Sequence, residues 1–171
     1  MRQAAIAATD GGSAMTNKLN SATLALALGL LAVARLGLAA DDMASRLPGN
    51  WLTEPKTGII QITQRPDGKF EGRIVGGTTP TRLDEKNPDP GRRTLLLKGQ
   101  LILHDMGYDG QGAWSGGTIY DPDSGRTYKA LVQLNADGTL KVRGYIGFSL
   151  LGRNEIWTRY TGTEMDLPPG H

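Results

Sequence analysis

A chain of 171 residues with no cysteine and a formal net charge of +2 has the size of one domain, and burial alone must hold it together. The slight basic excess excludes little by itself, but Arg2, Lys18 and Arg35 stand against Asp10 alone in the first forty residues, so the remainder carries 16 basic and 16 acidic side chains. That balance, scattered along the chain, argues against a nucleic-acid surface.

The N-terminal stretch reads as processing signal rather than fold. Thr16-Asn17-Lys18 follows Met15 as a short positive region, Ala22 to Ala34 is an almost unbroken Ala/Leu run, and Leu38-Ala39-Ala40 offers small residues before Asp41-Asp42. A membrane anchor is the competing reading. The apolar run of about a dozen residues, ended by Arg35, is short of the roughly 20 needed to span a bilayer. The expectation is therefore a secretory signal peptide within residues 1–40, a single domain over 41–171, a periplasmic or secreted location, and no stable membrane span after processing. Residues before Met15 carry no pattern, which leaves Met1 and Met15 both open as the start.

Leu47-Pro48-Gly49-Asn50-Trp51-Leu52 opens the domain. Gly58 to Gln64 is rich in isoleucine and bounded by Arg65-Pro66-Asp67-Gly68, a turn in which proline presets φ and glycine accepts a positive one. Lys69 to Gly76 alternates Phe70, Gly72 and Ile74 with charged residues, so the two segments are expected to form a hairpin with one buried face. Gly77 to Arg92 holds Pro80, Pro88 and Pro90 and reads as a long loop, either functional or loosely ordered. Thr94 to Leu103 is expected to be a strand with a bulge or break at Gly99, or a short helix. Trp114 to Tyr120, Arg126 to Leu134, Thr139 to Ile146 and Asn154 to Tyr160 then form an antiparallel meander. Tyr128, Ala130, Val132 and Leu134 fall on one face of their strand, as do Leu140, Val142, Gly144 and Ile146 on theirs. About eight short strands at this spacing require an all-β sandwich or barrel, and abundant glycine suits tight turns and coiled strands.

Gly49-Asn50-Trp51, Gly116-Gly117-Thr118-Ile119-Tyr120-Asp121-Pro122, Gly125-Arg126-Thr127-Tyr128, Arg143-Gly144-Tyr145-Ile146-Gly147 and Trp157-Thr158-Arg159, in that order, resemble a family of exported bacterial proteins known as domain-of-unknown-function family 2147. The resemblance covers nearly the whole of 41–171. It implies an antiparallel up-and-down barrel of about eight strands, lipocalin-like, in which Trp51 plugs the closed end and the Arg159 guanidinium lies over its indole face. It implies no activity, since that of the family is unassigned.

Nothing in the residues amounts to a catalytic or metal-binding set. His104-Asp105 lacks a partner nucleophile and reads as a strand-end surface pair. Asp121-Pro122-Asp123-Ser124-Gly125 begins like a calcium loop but fails in register, and its Asp and Ser are better used to cap a turn. Gly144 to Gly152 is apolar where a strand connection is usually polar: Phe148, Leu150 and Leu151 either plug the barrel or lie over its mouth as a lid. The aromatics Trp114, Tyr120, Tyr128 and Tyr145 are core or girdle residues first and pocket walls second. The functional expectation is a non-enzymatic, cofactor-free binder or carrier of a small apolar molecule. Its ligand-binding residues would be Trp114, Tyr120, Tyr145, Phe148 and Leu150. The alternative is an envelope protein-interaction module using the 77–92 loop and the 147–152 loop. An interior cavity separates the two, because a filled core leaves only the outside.

Overall fold

The computed structural model describes residues 43–54, 56–147 and 152–168. Its strands are β1 (Gly49–Leu52), β2 (Gly58–Gln64), β3 (Phe70–Gly77), β4 (Leu101–Tyr108), β5 (Ala113–Ser115), β6 (Thr118–Asp121), β7 (Arg126–Leu134), β8 (Leu140–Tyr145) and β9 (Gly152–Arg159). All pair antiparallel in the order β3-β2-β1-β9-β8-β7-β5-β4, with β6 also between β7 and β4, and the β3–β4 pairing closes the ring. Since β5 and β6 share one position around the ring, nine segments make an eight-stranded up-and-down barrel.

One end of the barrel is packed solid. Trp51, Phe70, Met106, Trp114, Leu140 and Trp157 are each at most 2% exposed there, and they come from β1, β3, β4, β5, β8 and β9. Phe70 meets Trp114 edge-on with ring centroids 6.1 Å apart, and Tyr108 stacks obliquely on the same indole at 4.9 Å. Leu47, from the helical turn before β1, caps this cluster and accepts the Trp51 Nε1–H through its carbonyl at 2.9 Å. The Arg159 guanidinium lies 3.8 Å from the Trp51 ring centroid, as the family resemblance implies. It is fixed there by donating to the carbonyls of Pro48, at 2.8 Å, and of Arg46. Gly49 makes the approach feasible, because a Cβ at that position would stand 2.5 Å from Arg159 Nη1.

The expected limits of β2, β3, β7, β8 and β9 agree with the sheet to within two residues at either end. Two others differ. Thr94 to Gln100 is not strand: Gly99 takes φ +94°, and Leu97 turns inward while Leu95 and Leu96 remain about half exposed. β4 starts at Leu101 and continues through His104 to Tyr108. Asp105, at φ +56°, forms a bulge that shifts the alternation and hides it from a period-2 reading. The expected strand Trp114 to Tyr120 breaks at Gly116-Gly117, where the chain passes so near β4 that a Cβ on Gly117 would lie 1.9 Å from the His104 carbonyl oxygen.

The 78–100 connection is ordered by its own contacts. Leu83 and Leu96 bridge antiparallel, Asp84 N donates to Leu95 O, and Leu97 N donates to Arg82 O. After β9 the chain returns to the end of β3, where Asp166 bridges Gly77 in parallel and Leu167 is buried.

Candidate functional site

Above the packed end the barrel is hollow. A cavity of about 870 Å³ opens among the ends of β1, β3, β6 and β8 and the starts of β2, β4, β7 and β9. Ile60, Ile102, Val142 and Trp157 are its deep, buried residues, and Ile74, Ile119, Tyr120, Tyr128 and Tyr145 continue its wall. Ile60, Ile74, Ile119, Tyr128, Val142 and Trp157 are inward positions of the alternation, so the pattern that builds the floor at one end of the strands builds the wall at the other, whereas Tyr120 and Tyr145, opposite Thr127 and Lys129, are of the other parity and join the lining at the strand ends. Gly144 is the small member of the wall: a Cβ there would meet Ile119 and Tyr128 at 3.5 Å, an ordinary contact, with the cavity beyond. The rim is polar, with Thr53, Thr57, Thr78 and Thr79 joined by charged residues of both signs.

One side of the rim is held by a buried polar cluster. Asp84 is 1% exposed and accepts from the Tyr120 hydroxyl at 2.6 Å and from Asn87 Nδ2 at 2.6 Å. The Asn87 carbonyl in turn accepts from Arg93 Nε at 2.8 Å. Burial, followed by the hydrogen bond to Asp84 and its charge, pushes the Tyr120 phenol up to about 12, so it stays a donor. Arg82 pairs with Asp123 at 2.7 Å, and Lys86 Nζ donates to the Asp123 carbonyl at 2.6 Å. The expected long loop is thus clamped to the β6–β7 turn. That turn is closed by Asp121, whose carboxylate accepts from Asp123 N and Ser124 Oγ, with Gly125 at φ +70°.

Of the five residues proposed from sequence, Tyr120 and Tyr145 stand on the cavity wall. Trp114 does not: it is fully buried at the packed end against Phe70 and Tyr108, away from the lining. Phe148 and Leu150, with Leu151, lie outside the described residues, although Tyr145, Ile146 and Gly152 on either side of them belong to the rim. His104 is in the body of β4 opposite Thr118 rather than at a strand end, and Asp105 pairs with Arg65 at 2.7 Å. Neither lines the cavity.

Sequence reasoning missed the isoleucine wall and Glu155. On β8 and β9, Val142 faces Glu155 in register and Leu140 faces Trp157, so Glu155 shares the inward face with these three buried residues. The alternation Arg153, Glu155, Trp157 was the available signal.

The family described as "Uncharacterized protein conserved in bacteria (DUF2147)" matches residues 49–159, from the first residue of β1 to the last of β9. The chain belongs to this family. The DUF2147 match therefore coincides with the closed barrel. No curated protein matches the chain. Among solved structures, a Helicobacter pylori protein, HP1028, described as belonging to the lipocalin family, superposes with a TM-score of 0.61 at 25% identity. The match covers 67% of this chain and 83% of that one. The DUF2147 barrel is lipocalin-like at the level of the fold, a closed antiparallel eight-stranded barrel.

Proposed function

We propose that the protein is a non-enzymatic binder or carrier of a small apolar molecule, acting in the periplasm or outside the cell after loss of its leader. The cavity carries this reading. Its volume of about 870 Å³ lies in the range of roughly 300–1,000 Å³ usual for small-molecule sites, and isoleucine, valine and aromatic side chains form its depth. An interaction module needs no such space, because it would use only the outer surface. The likeness to a lipocalin-family protein supports the same reading at the level of fold.

The experiment is uptake of a neutral apolar dye, N-phenyl-1-naphthylamine, by the wild type and by Gly144→Leu. The added side chain starts from an uncrowded Cβ position and extends into the cavity, so the variant should fold yet lose the fluorescence gain. Equal dye uptake by the two proteins, or none by the wild type, overturns the carrier.

A further inference from the structure

One charged side chain interrupts the apolar depth of the cavity. Glu155 stands on the inner face of β9 between Arg153 at the rim and the buried Trp157, beside Val142 of β8. Its Oε2 accepts the Trp157 Nε1–H at 3.1 Å. Its Oε1 has Arg153 Nη2 at 3.8 Å, too long for a hydrogen bond. Arg153 is 81% exposed and Glu155 only 32%, so the guanidinium is mostly solvated and compensates the carboxylate weakly. The other cations of the lining have nearer partners, Arg82 in Asp123 and Lys98 in Asp166. Two further carboxylates of the rim, Glu54 and Asp121, have no ion-pair partner among the described residues. The cavity therefore presents an apolar pocket with an under-coordinated anionic oxygen on its wall.

We infer that the cavity selects an amphiphile bearing a protonated amine, and that Glu155 is the residue that reads it. This rests on the carrier reading and adds the chemical class of the ligand. An ammonium donates to Oε1 while the hydrocarbon lies against Ile60, Ile102 and Val142. A ligand carboxylate in the same place meets a like charge across a few ångströms of a partly apolar wall, which disfavours it, and the partly exposed glutamate favours the ammonium by the converse attraction. The indole bond to Oε2 holds the glutamate in place before the ligand arrives.

The test is displacement of N-phenyl-1-naphthylamine by dodecylamine and by dodecanoate at pH 7, which share chain length and differ in head charge. Dodecylamine should displace the dye at a concentration at least about tenfold lower than dodecanoate. In Glu155→Gln, which keeps an acceptor for the indole, the preference should vanish, with displacement by each head group read against the variant's own dye affinity. In Arg153→Gln, which removes the cation paired with Glu155 among the described residues and lies at the solvent edge, the preference should persist or grow. Equal displacement by the two head groups, a preference for the acid, or an unchanged preference in Glu155→Gln overturns the inference and leaves the carrier standing. Loss of the preference in Arg153→Gln overturns the assignment to Glu155. Failure of dye, amine and acid alike to bind the wild type overturns the carrier, and the inference with it.

Discussion

Tyr120 and Asp84 connect a cavity wall to a loop that reads, in sequence, as solvated. Replacing Tyr120 with Phe removes the 2.6 Å bond to a carboxylate that is 1% exposed. A hydrogen bond to a charged group contributes about 1.5–3 kcal/mol, and that is the expected loss in urea unfolding at pH 7. Asp84→Ala deprives both the Tyr120 hydroxyl and the Asn87 amide of their acceptor, so its cost should approach twice as much. Because the two residues share one bond, the double variant should be less damaged than the sum, with a coupling of about 1.5–3 kcal/mol. The alkaline arm has a definite sign. Folding raises the Tyr120 pKa from 10.0 to about 12, so the folded state holds this proton more tightly. The contribution is complete below pH 10 and is lost as the pH climbs through 12. The wild type's advantage over Tyr120→Phe should therefore shrink across that window. An advantage that stays constant from neutral pH through the window, or additive single effects at pH 7, would refute the network as the cause.

Trp51→Ala should cost about 3–5 kcal/mol, and in a double-mutant cycle with Arg159→Ala a coupling of about 0.5–2 kcal/mol should remain; strict additivity would contradict the 3.8 Å stacking. N-terminal sequencing of the exported protein should find a first residue at or close to Asp41, and an intact chain in the membrane fraction would overturn the proposed location.

Elements rich in β-formers and bounded by a turn were legible from their residues: β2 and β7 have the expected limits, Gly58–Gln64 and Arg126–Leu134. β4 was not, because the Asp105 bulge moves Met106 onto the face that simple parity assigns to its neighbours, and the nearby Leu95-Leu96-Leu97 run imitates a strand. Only the third leucine of that run reaches the interior. The site divides along the same line. Tyr120 and Tyr145 reach the lining from strand ends, opposite Thr127 and Lys129, where the alternation itself gives no sign of it. Trp114 is a true inward position, opposite the buried Val132, but it sits at the packed end, and distance along the barrel axis is absent from local periodicity. Asp84 was illegible for a different reason: its partner Tyr120 is 36 residues away, and among Leu83, Glu85 and Lys86 it looks like any solvated loop acid.

The pairing of Trp51 with Arg159 joins the first strand to the last. Until the final strand has emerged, β1 has β2 beside it but nothing on its other edge, and the Trp51 indole lacks its guanidinium cover. Such a ring cannot shut progressively from the N-terminus as the chain is made; closure is an event of the complete polypeptide, delayed by the long loop that must be drawn together. For a protein proposed to be threaded through a membrane before it works, this is a timing device. Under the proposed export, the ring can close into a cup only when β1 and β9 have both reached the same side.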